Sequence, residues 1–218
     1  MILKKFIYPR LILNKSIAIV LSSEILLDNK NGYIIDQFSE IIRFNRAPVS
    51  GYEKYVGKKT TLRVLNYHTF TNKEFPGYNK NFIPSLKNQR ILVTGTNNIE
   101  IESSEFKGNA FKDNEYFYSN TKRFKNIYPF FLYKKIIFEK IYEYSLKYEY
   151  SVGFFFINLC IANGIKPKIF GFEENINKRS HYYNAEMKNI KQGKYHNLQI
   201  EHELIVDYEK NGFLTIEI

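Results

Sequence analysis

The 218-residue chain has no tryptophan, two methionines, four histidines, six prolines and a single cysteine. Each scarcity removes a class of protein. With Cys160 alone, no intramolecular disulfide can form, so the disulfide-framed secreted domains are excluded and a reducing compartment is the consistent setting. Cys160 sits inside "GFFFINLCIA" with no cationic neighbour in sequence, which reads as a small core hydrophobe and not as a nucleophile. No apolar run at the N-terminus is long enough to span a bilayer or to serve as a signal core. "MILKKFIYPRLILNK" is interrupted by Lys4, Lys5, Pro9 and Arg10. The expectation is a cytoplasmic protein. Neither an internal repeat nor a low-complexity linker breaks the chain, so residues 1–218 are expected to form one domain.

What is present is apolar and basic. Hydrophobic residues make up 44% of the chain and aromatic residues 17%, enough for a sizeable core. Thirty-two Lys and Arg against twenty-two Asp and Glu leave a formal charge of +10, an excess that attracts nucleotides, nucleic acid or an anionic bilayer surface. Charge alone does not choose among them. A nucleic-acid module would need its nineteen Phe and eighteen Tyr exposed for stacking. Most of them lie inside core-like runs, so no nucleic acid is expected as a partner. Peripheral contact with the inner face of an anionic membrane stays open.

Six short runs read as strands: 16–21, 40–45, 60–66, 90–95, 168–172 and 213–218. Their near-continuous apolar character suggests burial on both faces, as in parallel sheets. Between them, residues 133–149 place Ile137, Ile141, Tyr144 and Tyr148 on one helical stripe. Residues 151–164 read as a helix buried all round, opened by Ser151 and closed by Gly164. Alternating strands and helices predict a single-domain α/β fold, an open and mostly parallel Rossmann-like sheet flanked by helices. Such sheets bind ligands outside the carboxyl ends of their strands. Asn45, Asn66, Thr94 and the Ser22-Ser23 pair each fall at such an end, an edge of amides and hydroxyls suited to a nucleotide and equally typical of turns.

Longer motifs decide between those readings. "AIV" at 18–20, "GYIID" at 32–36, "IIRFNRAP" at 41–48 and "GYEKYVGKKTT" at 51–61 resemble the long sialylmotif of the animal-type sialyltransferases, glycosyltransferase family 29. "YSVGFFFINLCIANGIKPKIFGFE" (150–173) resembles the small sialylmotif, with Ser151 and Gly153 in its Ser-x-Gly positions. "HYYN" (181–184) is similar to the third motif, and "HNLQIE" (196–201) to the very small motif, His-x4-Glu. Four motifs in order cover roughly half the chain.

The resemblance implies a GT-A-like variant of the Rossmann-like sheet and an inverting, metal-independent transfer of sialic acid from CMP-sialic acid to a sugar hydroxyl of a glycan or glycolipid acceptor. By position, His196 becomes the general base and His181 sits by the donor phosphate. Ser22, Ser23, Asn45, Asn66, Ser151, Gly153 and Tyr182 bind the donor, while Glu201 and Arg46 support the site or the acceptor. The residue chemistry agrees. An unperturbed imidazole titrates near ~6.5 and can take a proton at neutral pH. No Asp-x-Asp occurs, so the carboxylate pair with which many nucleotide-sugar enzymes hold a divalent ion is missing and no metal or other cofactor is expected. A CMP-Kdo-dependent transferase and a basic nucleic-acid-binding α/β domain without catalysis are the alternatives. Two departures stand out. Leu21-Ser22-Ser23 occupies the place where the family has Gly-Asn-Ser, and the family's paired cysteines are absent.

Overall fold

The apolar runs become strands of one sheet in a computed structural model that describes residues 16–66, 69, 90–94, 127–130, 151–173, 181–183 and 197–217. In chain order the elements are β1 (Ile17–Val20), a 3-10 turn (Glu24–Leu27), α1 (Gly32–Ile35), β2 (Glu40–Phe44), α2 (Glu53–Val56), β3 (Leu62–Asn66), β4 (Arg90–Thr94), β5 (Ile127–Phe130), α3 (Val152–Ala162), β6 (Lys168–Phe170), α4 (Leu198–Lys210) and β7 (Thr215–Glu217). The strands lie in the order β5-β4-β3-β2-β1-β6-β7, and every pairing is parallel. All their carboxyl ends therefore share one edge. The strand at residues 127–130 was not anticipated, because Pro129 lacks an N–H and reads as a breaker. β5 is the last described strand on its side, where a proline costs the sheet least.

Alternation along the strands assigns each face. Ile17 and Ile19 of β1, Ile42 and Phe44 of β2, Leu62 and Val64 of β3 and Ile169 of β6 pack with α3 and with Ile205 of α4. Ala18, Val20, Ile41 and Phe170 point the other way, onto Ile35 of α1 and Val56 of α2. Helices thus cover both sides of the central strands, which is why those strands read as continuous apolar runs. Each such side chain stabilises the fold by roughly 1.5–3 kcal/mol relative to exposure.

α3 is all but uniformly apolar because it lies between the sheet and α4, with Phe154, Phe156, Ile157, Leu159 and Cys160 all buried. Its single interior amide, Asn158, is buried and satisfied twice: its Nδ2 donates to the Phe154 carbonyl at 2.8 Å, and its Oδ1 accepts from the Tyr208 hydroxyl of α4 at 2.9 Å. The helix ends as its sequence foretells. Gly164, at φ +68°, donates to the Ile161 carbonyl and Ile165 to that of Cys160, the paired bonds of a Schellman cap. On the opposite face α1 and α2 meet at Gly32. A Cβ there would collide with the Glu53 carbonyl oxygen and lie 2.8 Å from the Lys54 carbonyl, so only glycine allows this approach.

The predicted helix at 133–149 lies outside the described residues. The remaining predicted strands are present but shorter by one to three residues.

Candidate functional site

The strand order reverses between β1 and β6, the place where connections leave to opposite faces and a crevice opens outside the carboxyl ends. The chain after β1 runs straight into it. Leu21 N–H donates to the Phe170 carbonyl of β6 at 2.9 Å, and Ser23 caps the 3-10 turn, its Oγ accepting from Ile25 N–H. Ser23 also pairs with His181 in an isolated antiparallel bridge, and Tyr182 N–H donates to the Ser22 carbonyl at 3.0 Å. A strap of residues 181–183 is thereby tied across the end of β1.

The same strap reaches the loop after β2. Tyr182 is buried, its hydroxyl donates to the Pro48 carbonyl, and its ring meets Tyr52 edge-on at 4.9 Å. Burial pushes the Tyr182 and Tyr183 phenols up, opposed by Arg43 and Arg63 at the former and by Arg46 and Arg63 at the latter. Both phenols therefore stay protonated donors at neutral pH. His181 stacks on Tyr183 at 5.1 Å with the rings only 4° apart. Desolvation holds its imidazole below the ordinary value, against a hydrogen bond to the Ser22 backbone that favours the charged form. The ring is thus neutral in the empty site and able to take up charge when an anion arrives.

Asn45 turns the chain at the end of β2 with φ +41°, a left-handed conformation that Asn tolerates better than most residues. Its Oδ1 accepts from Asn66 N–H at 2.9 Å, joining the ends of β2 and β3 and leaving the amide nitrogen as the group it can offer a ligand. Asn66 in turn accepts from Thr69 N–H. Beneath this edge two buried arginines sit in register on neighbouring strands, Arg43 of β2 beside Arg63 of β3. Arg43 donates to the carbonyls of Val56, Gly57 and Lys59 and to the Thr60 hydroxyl. Arg63 donates to those of Asn45 and Ala47 at 2.9 and 3.0 Å. Burial lowers both guanidinium groups to about 10, so they remain charged at neutral pH and set a positive potential under the loop. Arg43 forms no ion pair with Asp36 or Glu53. Instead those carboxylates accept from Lys58 and Lys59 N–H groups and from Gly51 N–H respectively.

The N-terminus of α3 completes the wall. Ser151 is its N-cap, the Oγ accepting from Phe154 N–H at 3.2 Å. Gly153 faces Leu21, whose Cδ2 would be 3.2 Å from an added Cβ. Leu21, the departure from Gly-Asn-Ser, thus fills space between β1 and α3. Glu201 of α4 is only 2% exposed, and its Oε1 accepts from the Ser151 backbone N–H at 2.8 Å. In a capping box the residue at the third helical position returns a carboxylate to the cap's N–H. Here that position is Phe154, and Glu201 supplies the bond from fifty residues away. A solvated helix charge, one reading of Glu201 from sequence, is excluded by its burial.

His196 and Asn184 lie outside the described residues, as does His68. Asn197, next to His196 in sequence, is the N-cap of α4, accepting from Ile200 N–H. His202 stacks on Phe172 at 4.7 Å, and its buried Nε2 has no hydrogen-bond partner among the described residues. Among the described residues no three His, Cys, Asp or Glu side chains gather as a metal-holding group. Sequence reasoning passed over Arg63 and Tyr52. The signal for Arg63 was a lone charge in the apolar strand "TTLRVLN".

An open parallel sheet with amides, hydroxyls, a capped helix N-terminus and a histidine at its switch point defines an open α/β protein of the kind that gathers ligands at this edge. The profile of glycosyltransferase family 29 (sialyltransferase) matches residues 14–213, and the chain belongs to that family. It is 45% identical over 58 residues to human beta-galactoside alpha-2,6-sialyltransferase 2, covering 27% of this chain and 11% of that protein. The chicken counterpart is 41% identical over 78 residues, 36% of this chain and 14% of that one. The chain therefore aligns with about a tenth of the length of these relatives. Among solved structures, a mammalian sialyltransferase in complex with Gal-beta-1-3GalNAc-ortho-nitrophenol superposes with a TM-score of 0.58 at 16% identity, over 92% of this chain and 68% of that one. The alpha-2,3-sialyltransferase Cst-I from Campylobacter jejuni gives 0.56 at 16% identity, over 96% and 79%. These likenesses concern the fold.

Proposed function

We propose that this protein transfers sialic acid from CMP-sialic acid to a sugar hydroxyl of a glycan or glycolipid acceptor, inverting the anomeric carbon and using no metal ion. One observation carries the reading. The bridge between Ser23 and His181 sets the third-motif strap on the first-motif loop, beside the capped N-terminus of α3. Three segments far apart in sequence thus converge at the carboxyl edge of the sheet. Family membership supplies the reaction class.

In this reading the donor phosphate lies near His181, and the cytidine is held by the Asn45 amide, the Ser151–Gly153 turn and the 22–23 loop. The acceptor oxygen attacks the anomeric carbon from the side opposite the phosphate while His196 takes its proton. The bond between that carbon and the phosphate oxygen breaks, and the electron pair leaves with CMP. A phosphate leaving group needs charge stabilisation more than protonation. His181, neutral while empty, gains its proton as the anion settles beside it, and the buried Arg43 and Arg63 add a fixed positive field.

Replacing His196 with Ala tests the base. Transfer from CMP-sialic acid should fall by about 10²- to 10⁴-fold while CMP affinity, read by calorimetry, holds. Unchanged turnover would remove His196 from the mechanism. Offering CMP-Kdo beside CMP-sialic acid in the same assay identifies the donor.

A further inference from the structure

Away from the carboxyl edge, on the outer surface of the α1–α2 layer, lies a broad open cleft of about 680 Å³ bordered by Lys30, Tyr33, Asp36, Glu53, Lys54 and Lys58. Its two carboxylates are already committed to backbone. Asp36 accepts from Lys58 and Lys59 N–H at 2.9–3.0 Å, and Glu53 from Gly51 N–H at 3.0 Å. The three lysines have no ion-pair partner among the described residues. Lys54 Nζ merely rides over the Tyr55 ring at 4.8 Å. Between them Tyr33 is 69% exposed, the most exposed large hydrophobic side chain among the described residues. The lining carries a formal charge of +1, three lysines against two carboxylates, around one exposed tyrosine.

The lining chemistry selects the partner. A site for one soluble phosphate is usually built from guanidinium forks and convergent backbone N–H groups. This cleft has no arginine, and the convergent N–H groups of Lys58 and Lys59 are already filled by the Asp36 carboxylate. Flexible ammonium groups spread around an amphipathic ring instead match a surface of many negative charges with an apolar layer just below. We propose that the α1–α2 face is a docking surface for an anionic lipid bilayer, with Lys30, Lys54 and Lys58 reading the headgroup charge and Tyr33 seated at the interface. The proposal is independent of the donor site.

The test is co-sedimentation of the full chain with vesicles of phosphatidylcholine, with and without phosphatidylserine. Binding should require the anionic lipid. Each lysine near such a surface contributes about 5-fold, so K54Q/K58Q should lose about 25-fold in partition coefficient. K166Q/K210Q removes the same charge from exposed positions elsewhere and should lose far less. Tyr33→Ser should weaken the binding that survives high salt. Circular dichroism and CMP titration confirm that each variant is folded. Equal losses in the two double variants would mean diffuse attraction by net charge and overturn the proposal. So would tight binding to neutral vesicles. Failure of all vesicles to bind, with inorganic phosphate or single-stranded RNA bound through Lys54 and Lys58 instead, would overturn it as well.

Discussion

Glu201→Ala removes a carboxylate that reaches the start of α3 from another helix. Its hydrogen bond to Ser151 N–H is 2.8 Å long and lies at a residue only 2% exposed, so solvent does little to replace it. A hydrogen bond to a buried charged group is worth about 1.5–3 kcal/mol, and a carboxylate at a helix N-terminus adds about 0.3–1. The expected loss is about 2–4 kcal/mol. For a chain of this size each kcal/mol moves the thermal midpoint by roughly 2–4 °C, so Tm should drop by about 4–16 °C. Glu201→Gln keeps an oxygen acceptor and loses only the charge, about 1 kcal/mol and roughly 2–4 °C. Because Ser151 also borders the proposed donor crevice, Glu201→Ala should weaken CMP binding by about tenfold, equivalent to one lost hydrogen bond. Thermal unfolding followed by circular dichroism and calorimetric titration with CMP measure the two effects. The cross-helix cap is refuted if Glu201→Ala melts with wild type and binds CMP as tightly.

Three further perturbations test other joints. Gly32→Ala would ordinarily gain about 1 kcal/mol in a helix, but here the new methyl meets the Glu53 and Lys54 backbone, and overpacking costs about 1–3 kcal/mol or more. Its melting midpoint should fall, and a rise would show that α1 and α2 do not approach as described. Arg43→Met strands the carbonyls of Val56, Gly57 and Lys59 and should cost roughly 3–5 kcal/mol, seen as a lower urea midpoint at unchanged slope. Equal stability would place those carbonyls in water. For His181 the folded imidazole binds its proton less readily than the unfolded one. Between that depressed value and about 6.5 the unfolded chain holds the extra proton, so stability rises with pH through this window and His181 adds no slope above it. His181→Gln should flatten the profile measured by urea unfolding at a series of pH values, and saturating CMP, which holds the imidazole charged in the proposed mechanism, should reverse the wild-type slope. A variant with the wild-type slope would show that another group carries it.

The strands were legible because burial on both faces leaves a run of apolar residues that needs no periodicity to be seen. Six such runs became strands. The short helices α1 and α2, of four residues each, were not legible, since one turn cannot display a 3.6-residue repeat. α4 was missed for a related reason. Its apolar stripe through Leu204, Ile205 and Tyr208 is interrupted by Glu201 and His202, which face inward for polar and stacking contacts. A helix that spends a buried position on capping its neighbour looks, in sequence, like a helix turned to water.

The arginines show what only register can reveal. Arg43 and Arg63 are twenty residues apart and each appears in sequence as a single charge within an apolar strand. Parallel pairing sets them side by side, and their mutual repulsion adds to the cost of burial. Both costs are offset by the same stretch of chain. A crossover between adjacent parallel strands must leave one edge of the sheet and re-enter at the other, passing over the strands it joins. Arg63 grips the connection from β2 to β3 where it leaves, at the Asn45 and Ala47 carbonyls, and Arg43 grips it where it returns, at Val56, Gly57 and Lys59. The two guanidinium groups thus hold both ends of the loop that carries Asn45.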